Sequence, residues 1–187
     1  MNETYKVQVQ DLVDDLKAVF THAGLGGEAG EYKLLTQSFL YKFLNDKFLY
    51  LAQVLDAGNT YENLLTMSEE DYDWLLEDIG TSTAWLKPDQ LIESLHRQQN
   101  KATFYETFEN TLNQIAIDNN DIFSVHTDGD TAIRLFDERL ITDTISDSSK
   151  RNEVAKAIIN LLARIKFDET IFSQGFDFFS TLFEYMI

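Results

Sequence analysis

The sequence predicts an all-α, or nearly all-α, protein: a multi-helix bundle around one long central apolar helix, with room for a single short hairpin or extended segment. Three observations carry this expectation. One proline and eight glycines interrupt 187 residues, whereas a strand-rich sandwich needs many turn residues. Apolar side chains recur at three- and four-residue spacing in several windows, the period of a helix with one buried face. Residues 32–55 hold 14 large apolar or aromatic side chains in 24 positions, too many for a single stripe.

Tyr5, Val9, Leu12, Val13, Leu16, Val19 and Phe20 fall on one face of a first helix. Asp11, Asp14, Asp15 and Lys17 fall on the other. Gly24-Leu25-Gly26-Gly27 ends it, glycine being the usual residue past a helix end. Residues 31–56 then form the long helix, roughly 39 Å at 1.5 Å per residue. Leu34, Leu35, Phe39, Leu40, Tyr41, Phe43, Leu44, Phe48, Leu49, Tyr50 and Leu51 cover most of its circumference. A helix apolar all round is expected to be buried on several sides.

Residues 61–80 carry seven acids and no base. Ser68, three residues before Asp71, predicts the cap of a short helix over 69–78. Residues 81–86 read as extended, because Pro88 disfavours helix in the residue before it. Asp89 is placed to cap a helix through Leu91, Ile92 and Leu95. Phe104, Phe108, Leu112 and Ile115 mark another amphipathic helix. Residues 118–130 read as a polar loop, with Asp128-Gly129 suited to a tight turn. Ser148 or Ser149 opens a helix to Lys166 that buries Val154, Ile158, Leu161, Leu162 and Ile165. Phe176, Phe179, Leu182, Phe183 and Met186 mark a last helix. Eight of its last twelve residues are apolar, and it ends without glycine, basic turn or polar tail. The polypeptide is therefore expected to continue past Ile187, or a partner to cover this end. Residues 1–187 read as one helical N-terminal domain.

Composition excludes several classes. At 44% hydrophobic the chain can offset its conformational entropy, so it is not disordered. Without cysteine it has neither disulfides nor thiol chemistry. A net charge of −17 repels DNA phosphates, so it is not a self-sufficient nucleic-acid binder. No stretch approaches the ~18 apolar residues of a membrane span. Residues 1–17 mix acids and polar groups unlike a signal peptide. The expectation is a cytoplasmic protein with no membrane partner.

No motif points to catalysis. Gly24-Leu25-Gly26-Gly27 follows a helix, where a nucleotide-binding glycine turn follows a strand. His22, His96 and His126 lack ligand-spaced companions, so no metal site is expected. Asp118, Asn120, Asp128 and Asp130 miss the spacing of a calcium loop. Adjacent carboxylates such as Glu69-Glu70-Asp71 arise by chance in so acidic a chain. Ser148-Ser149-Lys150 lacks the spacing of an S-x-x-K nucleophile and reads as a helix cap.

Positive charge collects in one place. Residues 150–166 contain Lys150, Arg151, Lys156, Arg164 and Lys166 against the single Glu153, a local +4 that leaves −21 elsewhere. Lys156, Asn160 and Arg164 lie four apart on the polar face. Either this is a solvated face, or Lys150, Arg151, Lys156, Asn160, Arg164 and Lys166 form a contact for DNA phosphate or an acidic partner.

The order of features is distinctive. It runs from the first amphipathic helix to Glu31-Tyr32-Lys33, then the apolar run F-L-Y-K-F-L-N-D-K-F from Phe39 to Phe48, then Trp85-Leu86-Lys87-Pro88. Asn119-Asn120-Asp121-Ile122-Phe123 follows, and the chain closes on G-F-D-F-F-S-T-L-F-E-Y-M-I from Gly175 to Ile187. This resembles the N-terminal helical domain of the modification subunit of type I restriction-modification systems. The resemblance implies that the full-length subunit is an adenine-specific, S-adenosylmethionine-dependent DNA methyltransferase acting on a flipped base through an N-P-P-F/Y loop. Pro88 is followed by Asp89, so that loop is absent here and the catalytic domain is expected after residue 187. No catalytic, cofactor or metal residue is then expected in this chain. The implied partners are a DNA-specificity subunit, a second modification subunit and a restriction subunit, with DNA bound by the whole assembly.

A different class also fits the charge: a free-standing acidic adaptor, or a DNA mimic whose 32 acids occupy a DNA-binding cleft. The basic segment at 150–166 and the wide apolar face of the last helix weigh against it.

Overall fold

The computed structural model describes residues 3–120, 125–126, 132–133, 135–167 and 169–173. Its class is all-α. The helices are α1 (Glu3–His22), α2 (Ala29–Leu55), α3 (Tyr61–Thr66), α4 (Glu69–Ile79), α5 (Ile92–Arg97), α6 (Phe104–Asp118), α7 (Leu140–Thr144), α8 (Ser148–Arg164) and α9 (Glu169–Ser173). A 3-10 turn at Pro88–Gln90 precedes α5. Among the described residues the one departure is a two-residue antiparallel ladder, β1 (Val125–His126) with β2 (Ala132–Ile133), pairing Val125 with Ile133 and His126 with Ala132. The expected turn at 128–129, the 121–123 stretch and the last helix over 176–187 lie outside the described residues.

The amphipathic faces meet as their periods require. α1 buries Val9, Leu12, Val13, Leu16 and Phe20 against α2 and α8. α8 lies against α1, α5 and α6 and buries Val154, Ile158 and Leu162, with Ala155 and Ile159 beside them. Leu161 and Ile165 stay half-buried. α6 buries Phe104, Phe108, Leu112 and Ile115 completely. Tyr41 of α2 packs edge-on against Phe108 at 6.3 Å and Phe136 at 6.5 Å. Each such large side chain contributes about 1.5–3 kcal/mol by leaving water. At Gly24 the chain leaves α1 with φ +86°, a conformation side chains disfavour. Gly30 lets the first turn of α2 approach α7, since a Cβ there would lie 2.6 Å from Thr144 Cγ2.

Local signals placed α4 well: Ser68 Oγ accepts the Asp71 amide at 3.1 Å. Other expectations need correction. Asp89 does not cap α5. It sits inside the 3-10 turn, where Gln90 Oε1 accepts the Lys87 amide at 2.8 Å instead, and α5 starts at Ile92 with Leu91 at the cap position and no side-chain cap. The cap of α8 is Asp147, accepting from the Ser149 amide at 3.0 Å, rather than either serine. The helix ends at Arg164, not Lys166, because the backbone of Ile165 and Phe167 is bound by side chains of α2. α3, α7 and α9 are only five or six residues long, too short for a 3.6-residue period to register. α7 takes its cap from a distant helix. Buried Glu109 of α6 accepts the Ile141 and Thr142 amides at 3.1 and 3.0 Å and the Thr142 hydroxyl at 2.7 Å.

The stretch at 81–86 is a turn and bends followed by irregular chain rather than extended throughout, and it is held by side chains, Tyr72 donating to the Leu86 carbonyl and Asn119 gripping Trp85. Buried Asn119 accepts the Trp85 amide at 2.6 Å and donates to the Trp85 carbonyl at 2.9 Å. Asn119→Ala leaves both backbone groups without that partner. The expected cost is about 1–3 kcal/mol, read as a lower urea midpoint with an unchanged slope.

The fully buried Tyr41 hydroxyl donates to the Gln90 carbonyl at 2.6 Å. Burial, and then the nearby Asp89 charge, push its pKa well above the usual 10. The unfolded tyrosine therefore releases its proton first. Its stabilising contribution is complete below pH 10 and is lost as pH rises from there toward the folded value. The thermal midpoint should fall above pH 10, and Tyr41→Phe should flatten that fall while lowering the midpoint at pH 7.

Candidate functional site

The most unusual chemistry lies within α2. Residues 32–55 are apolar around most of the helix, yet Lys42, Asn45 and Asp46 among them are buried. One helical turn separates Lys42 from Asp46, so their side chains meet on one face. Lys42 Nζ lies 2.9 Å from Asp46 Oδ2, with the two side chains 4% and 6% exposed.

All three polar side chains have further partners. Lys42 donates to the Ile165 carbonyl and lies 5.6 Å above the Phe167 ring. Asp46 accepts the Phe167 amide at 2.7 Å and the Asn45 side-chain amide at 2.8 Å. Asn45 Oδ1 accepts the Ile92 amide at 2.8 Å, at the start of α5. Three side chains of α2 thus fasten two distant segments. Burial lowers the Lys42 pKa, while the charge and hydrogen bond of Asp46 pull it back up. Beyond the knot, Phe172 of α9 stacks on Tyr50 at 5.3 Å and meets Phe43 edge-on at 5.8 Å, so the chain runs along α2 after residue 167. A cavity of about 420 Å³ opens beside the knot, with Leu49, Tyr50 and Leu91 in its wall and Lys166 and Glu93 among its charged groups. The Lys42 ammonium is held by its partners and is not free to act as a nucleophile or base.

The basic segment divides into two sets. Arg151, Asn160 and Arg164 are engaged within the fold. Arg151 donates to the Ile145 carbonyl at 2.8 Å and stacks 5.7 Å from the Tyr105 ring. Asn160 donates to Gln99 at 2.9 Å. Arg164 pairs with Asp15 of α1 at 2.6 Å, both side chains about half exposed. Lys150, Lys156 and Lys166 form no ion pair among the described residues. Lys150 lines a cleft between the end of α1 and the start of α8, where His22 lies 3.8 Å from Glu153. Of the six candidate contact residues, Arg151, Asn160 and Arg164 thus have partners within the fold, whereas Lys150, Lys156 and Lys166 have no ion pair among the described residues.

Sequence reasoning missed Lys42, Asn45, Asp46, Glu109 and Asn119. The available signal was polar residues inside strongly apolar windows, with Lys42 and Asp46 spaced four apart. Among the described residues no group of three histidine, aspartate or glutamate side chains is placed to hold a metal ion, and no helix is long and apolar enough to cross a membrane. No family model, curated protein or solved structure matches the chain.

The knot makes a measurable demand on stability. Asp46→Ala strands a buried ammonium and the Phe167 amide, for an expected loss of about 3–5 kcal/mol. Adding Lys42→Met removes the stranded charge and should recover part of that loss. A double-mutant cycle by urea denaturation should therefore give a coupling energy well above the ~0.5 kcal/mol of independent sites.

Proposed function

We propose that this chain is a helical assembly domain, the N-terminal domain of the modification subunit of a type I restriction-modification system. It holds partner subunits and helps close the assembly around DNA, and the chemistry belongs elsewhere in the subunit. The observation that most supports this reading is how the interior uses its polar groups. Every buried charged or amide side chain among the described residues fixes backbone: Lys42 on Ile165, Asn45 on Ile92, Asp46 on Phe167, Gln90 on Lys87, Glu109 on Ile141 and Thr142, and Asn119 on Trp85. These groups are fasteners of a scaffold. In the same reading α2 is the central helix of the bundle, and its knot fixes the course of the chain at residues 165–167.

Methyl transfer to adenine N6 in such a subunit uses S-adenosylmethionine, which supplies the methyl group. The one glycine-rich loop here does not suit that cofactor. It joins α1 to α2, and its Gly27 amide is already donated to Glu31. No residue of this chain is assigned to the cofactor. The partners in this reading are a DNA-specificity subunit, a second modification subunit and a restriction subunit, in the cytoplasm. Lys150, Lys156 and Lys166 are the groups best placed to meet phosphate, because none forms an ion pair with a carboxylate of the described residues.

The coding sequence downstream tests the reading. Within a couple of hundred codons after Ile187 it should encode a strand followed by a glycine-rich turn, and then N-P-P-F/Y. A stop codon directly after Ile187 would overturn the proposal. The 187-residue chain alone should transfer no labelled methyl group to adenine-containing DNA.

A further inference from the structure

α4 buries Tyr72, Leu75 and Ile79 on its inner face. Trp74 points the other way and is 60% exposed, on a helix that could have carried any polar residue there. Glu70 and Asp71 lie one turn before it and Glu77 and Asp78 one turn after, so four exposed carboxylates frame the indole. None of them forms an ion pair among the described residues.

Folding does not account for this arrangement. Glu69 and Asp73, and Asp73 and Glu77, are like charges four residues apart, which destabilises a helix. Glu77 and Asp78 occupy the last turn, where the helix dipole disfavours anions, and no base offsets them. The indole gains little by burial. A cation placed on this face relieves the repulsion, opposes the dipole and covers the ring.

We propose that the outward face of α4 is a docking site for an arginine-rich segment of another protein, with Trp74 as its anchor. A guanidinium stacks on the indole, which attracts cations over its face. Its N–H donors then reach Glu70, Asp71, Glu77 or Asp78, and charge-assisted hydrogen bonds of this kind are the strong ones. Arginine is favoured over lysine because the planar group stacks and donates at once. The inference goes beyond the assembly reading and stands without it.

Isothermal titration of the 187-residue protein with nona-arginine and nona-lysine peptides at 0.15 M salt tests it. Nona-arginine should bind saturably and more tightly than nona-lysine. Trp74→Ala should weaken nona-arginine at least fivefold, and Trp74→Phe, which keeps a ring, much less. Neutralising Glu70, Asp71, Glu77 and Asp78 to their amides should weaken it more than tenfold. The same change at Asp11, Asp14, Glu106 and Glu138, also exposed, should matter less than twofold. Circular dichroism should show an equal or higher melting midpoint for the α4 variants. An equal loss in the two neutralised variants would show diffuse attraction to an acidic protein and overturn the site. Unchanged binding by Trp74→Ala would remove the anchor and overturn it as well. A concentration-dependent dimer that Trp74→Ala dissociates would assign the face to a second copy of this chain instead.

Discussion

A buried ion pair that is also a backbone fastener organises this structure. Removing two charges from water costs several kcal/mol for each ion, and mutual attraction alone seldom returns it. Lys42 and Asp46 recover the cost only because each meets a backbone group of the 165–167 segment as well. Their geometry therefore depends on the chain turning away after α8, and that turn depends on them. Asn45 extends the dependence to the start of α5. An apolar helix could pack against the same neighbours in several registers. A helix whose polar groups must each find one particular carbonyl or amide accepts far fewer.

The same logic recurs at smaller scale. Glu109 stands in for a missing local cap on α7, and Asn119 satisfies the Trp85 backbone in the irregular segment at 81–86. Tyr41 and Tyr72 carry their hydroxyls through the core to the carbonyls of Gln90 and Leu86. Each arrangement satisfies backbone groups that secondary structure leaves open, which is what permits short helices and irregular connections to be buried. The interior is thus apolar in bulk and specified by a few polar contacts.

The surface divides by charge. The outer face of α4 concentrates carboxylates around an exposed indole, whereas α8 carries most of the clustered cations. On α8 the fold has claimed Arg151, Asn160 and Arg164 for its own joints. Long cationic side chains on a helix edge readily reach across to a neighbour, so a basic stripe read from spacing alone overstates what is left for a partner. On α4 the acids have no such claim on them.

Much of the architecture was legible in the residue pattern. The apolar periods of α1, α6 and α8, the glycines after α1 and the Ser68 cap are local facts, because a helix buries one face and closes its own ends with neighbouring residues. Helix propensity and period act within a dozen residues, and so can be read along the chain. What only the tertiary structure decided is where polar groups inside apolar windows go. Lys42, Asn45 and Asp46 meet partners 47 to 123 residues away, and the end of α8 and the cap of α7 follow from those meetings. No local rule encodes such pairings, because the free energy that makes a buried charge tolerable exists only after both segments have left water together.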